Sequence, residues 1–342
     1  MTTQKPDLQD AKITDFLHDH FGLQVVEVAF LPTGYEYTTV YRVVTENETP
    51  YFLKLKRDVF DETSVTVPIF LRDRGVRQII APIATRSRQL WAHLDDFHAI
   101  LYPFVEGHNA FQVALTERQW VDFGAALKGI HTAVVPPELW SHLQHETYSP
   151  QWRDMVKMLQ ERAKEDAFDD PVAAQLAEFM TVKADEIRYL VRRAEQLSLA
   201  LQAQSPEIVL CHSDIHAGNI LIDAKGGLYI VDWDNPILAP KERDLMFVGG
   251  GVGGIWHSAQ EEALFYKGYG RTAIDPVALA YYRFERIVQD IAPYAQQLLL
   301  TEAGGNDRAR TLQGIVRWFL PNGVVEMAHK AENTLPPELQ AV

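Results

Sequence analysis

The chain has 342 residues, a formal net charge of −14 and a hydrophobic content of 47%. The negative charge argues against a general nucleic-acid-binding protein, because neutralising phosphates requires clustered Lys and Arg. The sequence has no apolar run of about 18 residues, the length that a membrane span needs, and no apolar signal segment. We therefore expect a cytoplasmic protein with no nucleic-acid, membrane or protein partner.

The single cysteine, Cys211, excludes an internal disulfide and suits a reducing compartment. It lies in an apolar run, so we expect a buried structural thiol rather than a nucleophile. The length allows either two domains or one large bilobal unit.

The first hundred residues predict a short helix followed by a small antiparallel sheet. Apolar residues at helical spacing over 8–21 end at Gly22, and three β-rich runs follow. We predict these strands over 25–31, 38–45 and 51–55, with turn-rich links between them.

Lys54 lies on the third of these strands, in an alternating run that places it on the same face as Lys56. On an otherwise apolar strand facing a cleft, such a lysine can reach phosphate oxygens; alone, it is equally a charge on an edge strand. Gly34 lies in the preceding link and alone predicts a hairpin turn. In a nucleotide-binding context it would lie over phosphates.

The remaining pattern changes from strands to helices. A helix is predicted over 61–74, in which Pro68 is a distortion or a start, and strands over 79–84, 90–94 and 97–104. Thr116 and Gln119 have the spacing of a capping box. Further helices are predicted over 150–165, 171–200, 259–270, 276–300 and 308–320. We therefore predict an N-terminal lobe over residues 1–104 and a larger helical lobe over 105–342.

The central stretch, residues 209–234, concentrates the polar side chains. Two short β-branched runs flank a glycine pair and predict a hairpin, which would bring Asn219 and Asp232 side by side. Carboxylate and amide oxygens suit Mg²⁺. Asp214, five residues before Asn219, is then placed to accept a hydrogen bond from an attacking hydroxyl. This order of residues is typical of a kinase catalytic loop.

The stretch resembles the aminoglycoside phosphotransferase and choline kinase family of small-molecule kinases, and most of all its spectinomycin phosphotransferase branch. The residues that carry the resemblance are His212-x-Asp214-x4-Asn219, Ile230-Val-Asp232-Trp233, and the continuation over 235–253. The resemblance implies an α+β fold of the bilobal protein-kinase type, ATP and Mg²⁺ as cofactors, and phosphoryl transfer to a hydroxyl.

The resemblance also implies roles for individual residues. Asp214 would be the catalytic residue, with Asn219 and Asp232 as the Mg²⁺ ligands. Lys54 would hold the α- and β-phosphates. The other nucleotide contacts are expected at Glu62, which would pair with Lys54, at Gly34, and near Phe104, whose backbone would meet adenine.

The acceptor implied by the resemblance is spectinomycin or a related aminocyclitol, and a negatively charged pocket would suit its amines. Candidate substrate residues are Asp234, two residues after a metal ligand, together with His216, Trp256 and either Glu285 or Asp290. Choline, homoserine, methylthioribose, macrolides and sugar amines remain alternatives, because the wider family phosphorylates them with the same loop.

Other interpretations compete for these residues. The pattern of His212, Asp214 and His216 could instead form a zinc or manganese site, and with Asp232 a hydrolase. A non-catalytic nucleotide-binding regulator is a further alternative. The Gly-x-Gly-x-x-Gly pattern within 249–254 lacks the flanking βαβ unit of a dinucleotide site.

Overall fold

The computed structural model describes residues 5–32, 38–57, 60–302 and 304–340. They form two compact units, neither of which is contiguous in sequence. The first comprises the described parts of Met1–Val113, Ala133–Leu143 and Gly218–Pro236, and the second those of Ala114–Thr132, Gln144–Ala217 and Ile237–Val342. The boundary after residue 104 stays a prediction.

Short strands occur along most of the described chain. They are β1 (Val25–Leu31), β2 (Thr38–Thr45), β3 (Pro50–Lys56), β4 (Ala92–Leu94), β5 (Phe97–Pro103), β6 (Gly107–Asn109), β7 (Gln144–His145), β8 (Val209–Cys211), β9 (Ile220–Asp223), β10 (Leu228–Ile230) and β11 (Ile237–Ala239).

Helices dominate the second unit. Within the described residues the α-helices are α1 (Asp10–Phe21), α2 (Thr63–Asp73), α3 (Glu117–His131), α4 (Pro137–His142), α5 (Gln151–Glu165), α6 (Pro171–Val182), α7 (Ala184–Gln204), α8 (Glu242–Leu245), α9 (Ala259–Tyr269), α10 (Pro276–Leu300), α11 (Arg308–Trp318) and α12 (Val324–Glu332). In the described part of the chain, no helix has the length and apolarity needed to span a lipid bilayer.

The larger sheet of the first unit has the strand order β1-β2-β3-β5-β4, with antiparallel neighbours. Leu53 pairs with Tyr41 and Leu101, and all three belong to a core that includes residues of α1. Because side chains alternate across a strand, Lys54 points to the opposite face. The sheet thus keeps the Lys54 side chain out of the α1 core.

A second sheet in the first unit contains the predicted hairpin, β9 and β10, with Leu228 opposite Ile222 and Ile230 opposite Ile220. The Asp223 side chain closes its turn by accepting hydrogen bonds from the Lys225 and Gly227 amides at 2.8 and 2.7 Å. This confirms the hairpin.

Two predicted elements are wrong. Residues 79–84 do not form a strand; an isolated bridge joins Ile79 to Ile230. Pro82 lies within this run and has no N–H to donate to a ladder. The helix predicted over 171–200 is two helices, because Lys183 leaves helical geometry between α6 and α7.

In the second unit, α10 packs against α5, α6, α7 and α12. Helices α3 and α9 approach each other unusually closely, and glycines make this approach possible. A Cβ atom added to Gly268 would lie 1.8 Å from the Val121 carbonyl oxygen, and one added to Gly124 would lie 2.0 Å from that of Phe265. Because both obstacles are backbone atoms, a larger residue would force the helices apart.

We therefore expect Gly268→Ala to destabilise the protein by about 2–3 kcal/mol through overpacking. The matched control is Gly314→Ala in α11, where a Cβ atom would meet nothing within 4 Å. This control should stabilise by about 0.5–1 kcal/mol, the usual difference between Ala and Gly within a helix. Urea denaturation midpoints measure both effects. Equal midpoints for the two variants would contradict the close helix approach.

Candidate active site

In the first unit, the end of the hairpin and strand β3 bring opposite charges together. The Lys54 Nζ atom lies 2.8 Å from Asp232 Oδ1 and 2.7 Å from Asp234 Oδ1. The Lys56 Nζ atom lies 3.4 Å from Asp234 Oδ2. We refer to Lys54, Lys56, Asp232 and Asp234 as the lysine–aspartate cluster. Strand alternation places both lysines on one face, and the hairpin exit supplies both carboxylates.

The electrostatics of this cluster keep Lys54 charged. Burial on its own would lower the pKa of the Lys54 ammonium, but the carboxylates of Asp232 and Asp234 outweigh burial and raise that pKa. Lys54 is 8% exposed, so its ammonium is shielded from bulk water. A positive charge is therefore fixed beside Asp232.

Asn219 and Asp232 are neighbours across the hairpin, as the sequence predicts. The Val231 amide donates a hydrogen bond to the Asn219 carbonyl at 3.0 Å. Asp232 has a φ of 65°, in the left-handed region, so the chain turns sharply where its carboxylate is presented. An amide oxygen and a carboxylate are a donor set that fits a hard divalent cation.

Two side chains expected near the nucleotide or the substrate, Glu62 and Asp234, have contacts other than the expected ones, and their predicted roles stay predictions. Glu62 is exposed at the cap position of α2, and the Lys54 ammonium contacts Asp232 and Asp234 instead. Asp234, predicted to face the substrate, pairs with both lysines because it leaves the hairpin on their side. The Lys56 side chain on the same strand is only 14% exposed.

The backbone amide of Phe104, near the expected adenine contact, has a hydrogen-bond partner within the protein. The Phe104 amide donates a long hydrogen bond, 3.4 Å, to the Pro50 carbonyl at the start of β3. Its ring lies near Phe52 and under the Arg42 guanidinium. Gly34 lies outside the described residues, and its predicted role stays a prediction.

In the second unit, Asp214 lies in a different group of charges. The Arg286 guanidinium donates from Nη1 to Asp214 Oδ1 at 2.7 Å and from Nε to Asp290 Oδ2 at 2.9 Å. His216 Nε2 is 3.6 Å from Asp214 Oδ2. We refer to Asp214, Arg286 and Asp290 as the Asp214 cluster. Residues on α10 thus reach a loop residue 72 positions earlier in the sequence.

These contacts set the protonation states. Burial would raise the pKa of Asp214, but Arg286 and His216 outweigh burial and lower that pKa. Burial lowers the pKa of His216, despite the opposing effect of Asp214. Burial also raises the pKa of Asp290, which Arg286 only partly offsets. At neutral pH Asp214 is therefore an anion beside a neutral imidazole.

Asp244 anchors the loop that carries Asp214. Its fully buried carboxylate accepts hydrogen bonds from the backbone amides of His212 at 2.8 Å and Ser213 at 2.7 Å. His131 Nε2 lies 3.1 Å away, and the Tyr269 hydroxyl contacts His131 Nδ1 at 2.8 Å. Burial would raise the pKa of Asp244, but its hydrogen bond with His131 helps to lower that pKa. The strained Ser213, with φ 71°, is thereby held in place.

Sequence reasoning missed the two residues that organise Asp214. Arg286 was visible as one of several charged residues along a predicted helix, but helical spacing does not identify a partner on a distant loop. Asp244 follows Arg243 in the sequence, but the Arg243 guanidinium donates to Gln289. No short-range pattern shows that Asp244 accepts hydrogen bonds from the amides of His212 and Ser213.

Two predicted substrate residues are buried in packing. Trp256 is 5% exposed, and its ring packs against Trp120 and Phe123, with centroids 5.1 and 5.6 Å apart. Glu285 is also 5% exposed, with Oε2 3.6 Å from Arg153 Nη1. Burial raises the pKa of Glu285 to about 7. The aromatic cluster around α3 packs on Trp256 and Arg153 of α5 lies beside Glu285, and the predicted substrate roles of both residues stay predictions.

The alternative metal site does not form. Among the described residues, the group whose ligand atoms converge within 4.8 Å is His131, Cys211 and Asp244, and not His212, Asp214 and His216. Even this group is a poor metal site, because Asp244 already accepts three hydrogen bonds. Burial raises the pKa of the Cys211 thiol, which opposes the thiolate that a metal requires. Cys211 is buried, as expected.

Known proteins that resemble this chain include a family of phosphotransferases. The family described as the phosphotransferase enzyme family matches residues 27–282. The crystal structure of spectinomycin phosphotransferase, APH(9)-Ia, with ADP and spectinomycin is 39% identical, with a TM-score of 0.91 over 96% of this chain and 99% of that one.

More distant relatives are similar to this chain over most of its length. Protein StrN of Streptomyces griseus is 24% identical over 240 residues, which make up 68% of this chain and 73% of StrN. Choline kinase LicA from Streptococcus pneumoniae is 15% identical with a TM-score of 0.58, covering 90% of this chain and 98% of LicA. The predicted α+β protein-kinase-like fold is confirmed, and the chain belongs to the phosphotransferase enzyme family.

Proposed function

We propose that this protein is an ATP-dependent kinase that phosphorylates a hydroxyl of a small cationic aminocyclitol, spectinomycin or a close relative. The observation that carries the proposal is the 39% identity to spectinomycin phosphotransferase over nearly the whole chain. The ionised Asp214 and the oxygen donors Asn219 and Asp232 are the groups that this chemistry requires.

In this reaction Asp214 accepts a hydrogen bond from the substrate hydroxyl and orients its oxygen. That oxygen forms a bond to the γ-phosphorus while the bond from the γ-phosphorus to the β,γ-bridging oxygen breaks. The hydroxyl proton passes to Asp214, and ADP leaves. Because the Asp214 pKa is lowered, the carboxylate contributes alignment more than basicity, and takes the proton late.

The lysine–aspartate cluster supports the proposed nucleotide side of the reaction. Asp232 already holds a cation, the Lys54 ammonium at 2.8 Å, so this carboxylate is suited to positive charge. With ATP bound, we propose that Lys54 turns to the α- and β-phosphates, and that Asn219 and Asp232 hold Mg²⁺. A divalent cation held by these two residues would supply positive charge against the negative charge that develops on the phosphates.

The proposed cationic substrate is supported by the charges of the Asp214 cluster. Two carboxylates and one guanidinium leave one negative charge, and the neighbouring His216 is neutral because burial lowers its pKa. A negative site attracts amines, and the net charge of −14 acts in the same direction. From the predicted substrate residues, we propose His216 and Asp290 for this role.

Choline, homoserine, methylthioribose and sugar amines remain the alternative acceptors. The same fold occurs in choline kinase LicA, so the fold does not select among them.

We expect spectinomycin to stimulate ADP release from Mg-ATP more than aminoglycosides, choline, homoserine or methylthioribose do. A coupled assay of ADP formation, with each acceptor and without one, measures this. Stimulation by choline and not by spectinomycin would support the proposed kinase activity and refute an aminocyclitol as its substrate.

We expect Asp214→Asn to lower kcat by about 10²–10⁴, the usual contribution of a positioned proton acceptor. ATP binding, measured by calorimetry, should be nearly unchanged. The control is Asp154→Asn, which alters an exposed aspartate of α5 that pairs with Lys157. Wild-type turnover in Asp214→Asn would refute the role of Asp214.

A further inference from the structure

We propose that Arg286 and Asp290 are positioning residues that fix the carboxylate of Asp214 for transfer. This inference rests on the proposed phosphotransferase function and extends it to α10. Neither residue belongs to the motif that contains Asp214.

The geometry of the Arg286 guanidinium carries the inference. Its Nη1 donates to Asp214 Oδ1 at 2.7 Å and its Nε donates to Asp290 Oδ2 at 2.9 Å, so the planar group is held at two different atoms. The same guanidinium lies 5.4 Å from the centroid of the Phe247 ring. Three partners thus define its position and its plane.

The partners of the guanidinium lie on two different elements, a helix and a loop. Arg286 and Asp290 are four residues apart on α10, where such side chains lie on the same face. Asp214 lies on a loop. Helix α10 therefore fixes the position of the guanidinium, and the guanidinium in turn fixes the position of the loop carboxylate.

In this arrangement the two carboxylate oxygens of Asp214 have different roles. With Oδ1 bound to Arg286, rotation of the carboxylate would break a short, charge-assisted hydrogen bond. The acceptor hydroxyl would then be received by Oδ2, the oxygen that faces His216. A misplacement of about 1 Å at such a group can lower a rate about 10²-fold.

Removing Arg286 would also leave two carboxylates, Asp214 and Asp290, without the cation between them. The side chains are 20–31% exposed, so their repulsion is screened only in part. We therefore expect Asp214 to turn away from Asp290 when Arg286 is absent.

The test compares Arg286→Ala with Arg162→Ala. Arg162 on α5 makes the same Nε-to-Oδ2 contact with an aspartate four residues later, Asp166. Its side chain is exposed and, within the described part of the chain, forms no ion pair with the Asp214 cluster. Arg286→Ala should lower kcat about 10²-fold while KM for ATP changes less than about twofold. Arg162→Ala should match wild type in both.

Two further variants refine the result. Arg286→Lys should retain intermediate activity, because an ammonium cannot hold two partners in a plane as a guanidinium does. Asp290→Ala should lower kcat about tenfold, because Arg286 remains but its guanidinium is no longer held by the Asp290 carboxylate. Millimolar guanidinium should restore part of the activity of Arg286→Ala and none to Asp214→Asn.

The inference is overturned if Arg286→Ala keeps the kcat of Arg162→Ala, or if its loss is wholly in KM for ATP. A wild-type protein that phosphorylates no acceptor would instead count against the proposed function. Crystal structures of wild type and Arg286→Ala decide the inference in that case as well. A turned Asp214 carboxylate in the variant supports it, and an unchanged carboxylate refutes it.

Discussion

The carboxylate of Asp244 is completely buried, and it accepts hydrogen bonds from the backbone amides of His212 and Ser213. A buried carboxylate is costly unless such donors surround it, so the loop and the carboxylate require each other. His131 and Tyr269 extend the network into α3 and α9, the two helices that glycines allow to approach closely. The loop that carries Asp214 is thus tied to a rigid helix pair.

The two charge clusters, one in each unit, have the same arrangement. In each, a cation lies between two carboxylates: Lys54 between Asp232 and Asp234, and Arg286 between Asp214 and Asp290. Lysine has a flexible stem and a compact charge, which suits a side chain that we propose turns from carboxylates to phosphates when ATP binds. Arginine is planar and donates at fixed angles, which suits a group that we propose stays in place.

The sequence predicted what depends on local pattern. The bounds of β1 and β2, the β9–β10 hairpin and the capping box of Thr116 follow from alternation, turn residues and short-range hydrogen bonds. The kinase-like fold and the family followed from residues 209–253, because the spacing of Asp214, Asn219 and Asp232 is set by the chemistry.

The rest depends on contacts between distant residues. Lys54 and Asp232 are 178 positions apart, so the choice of Asp232 over Glu62 as the partner of Lys54 is decided by packing. Helical periodicity placed Glu285 and Arg286 on one helix but did not say which of them α5 would cover. Trp256 packs against Trp120 and Phe123, and an aromatic residue after a glycine-rich run gives no sign of such buried neighbours.

The central claim is that a phosphoryl group passes to a hydroxyl, and ³¹P NMR of the protein with Mg-ATP and spectinomycin tests it most directly. The account predicts a new phosphate monoester resonance that grows in step with ADP as the γ-phosphate signal of ATP declines. Inorganic phosphate appearing in place of the monoester would contradict it, because the protein would then transfer the group to water.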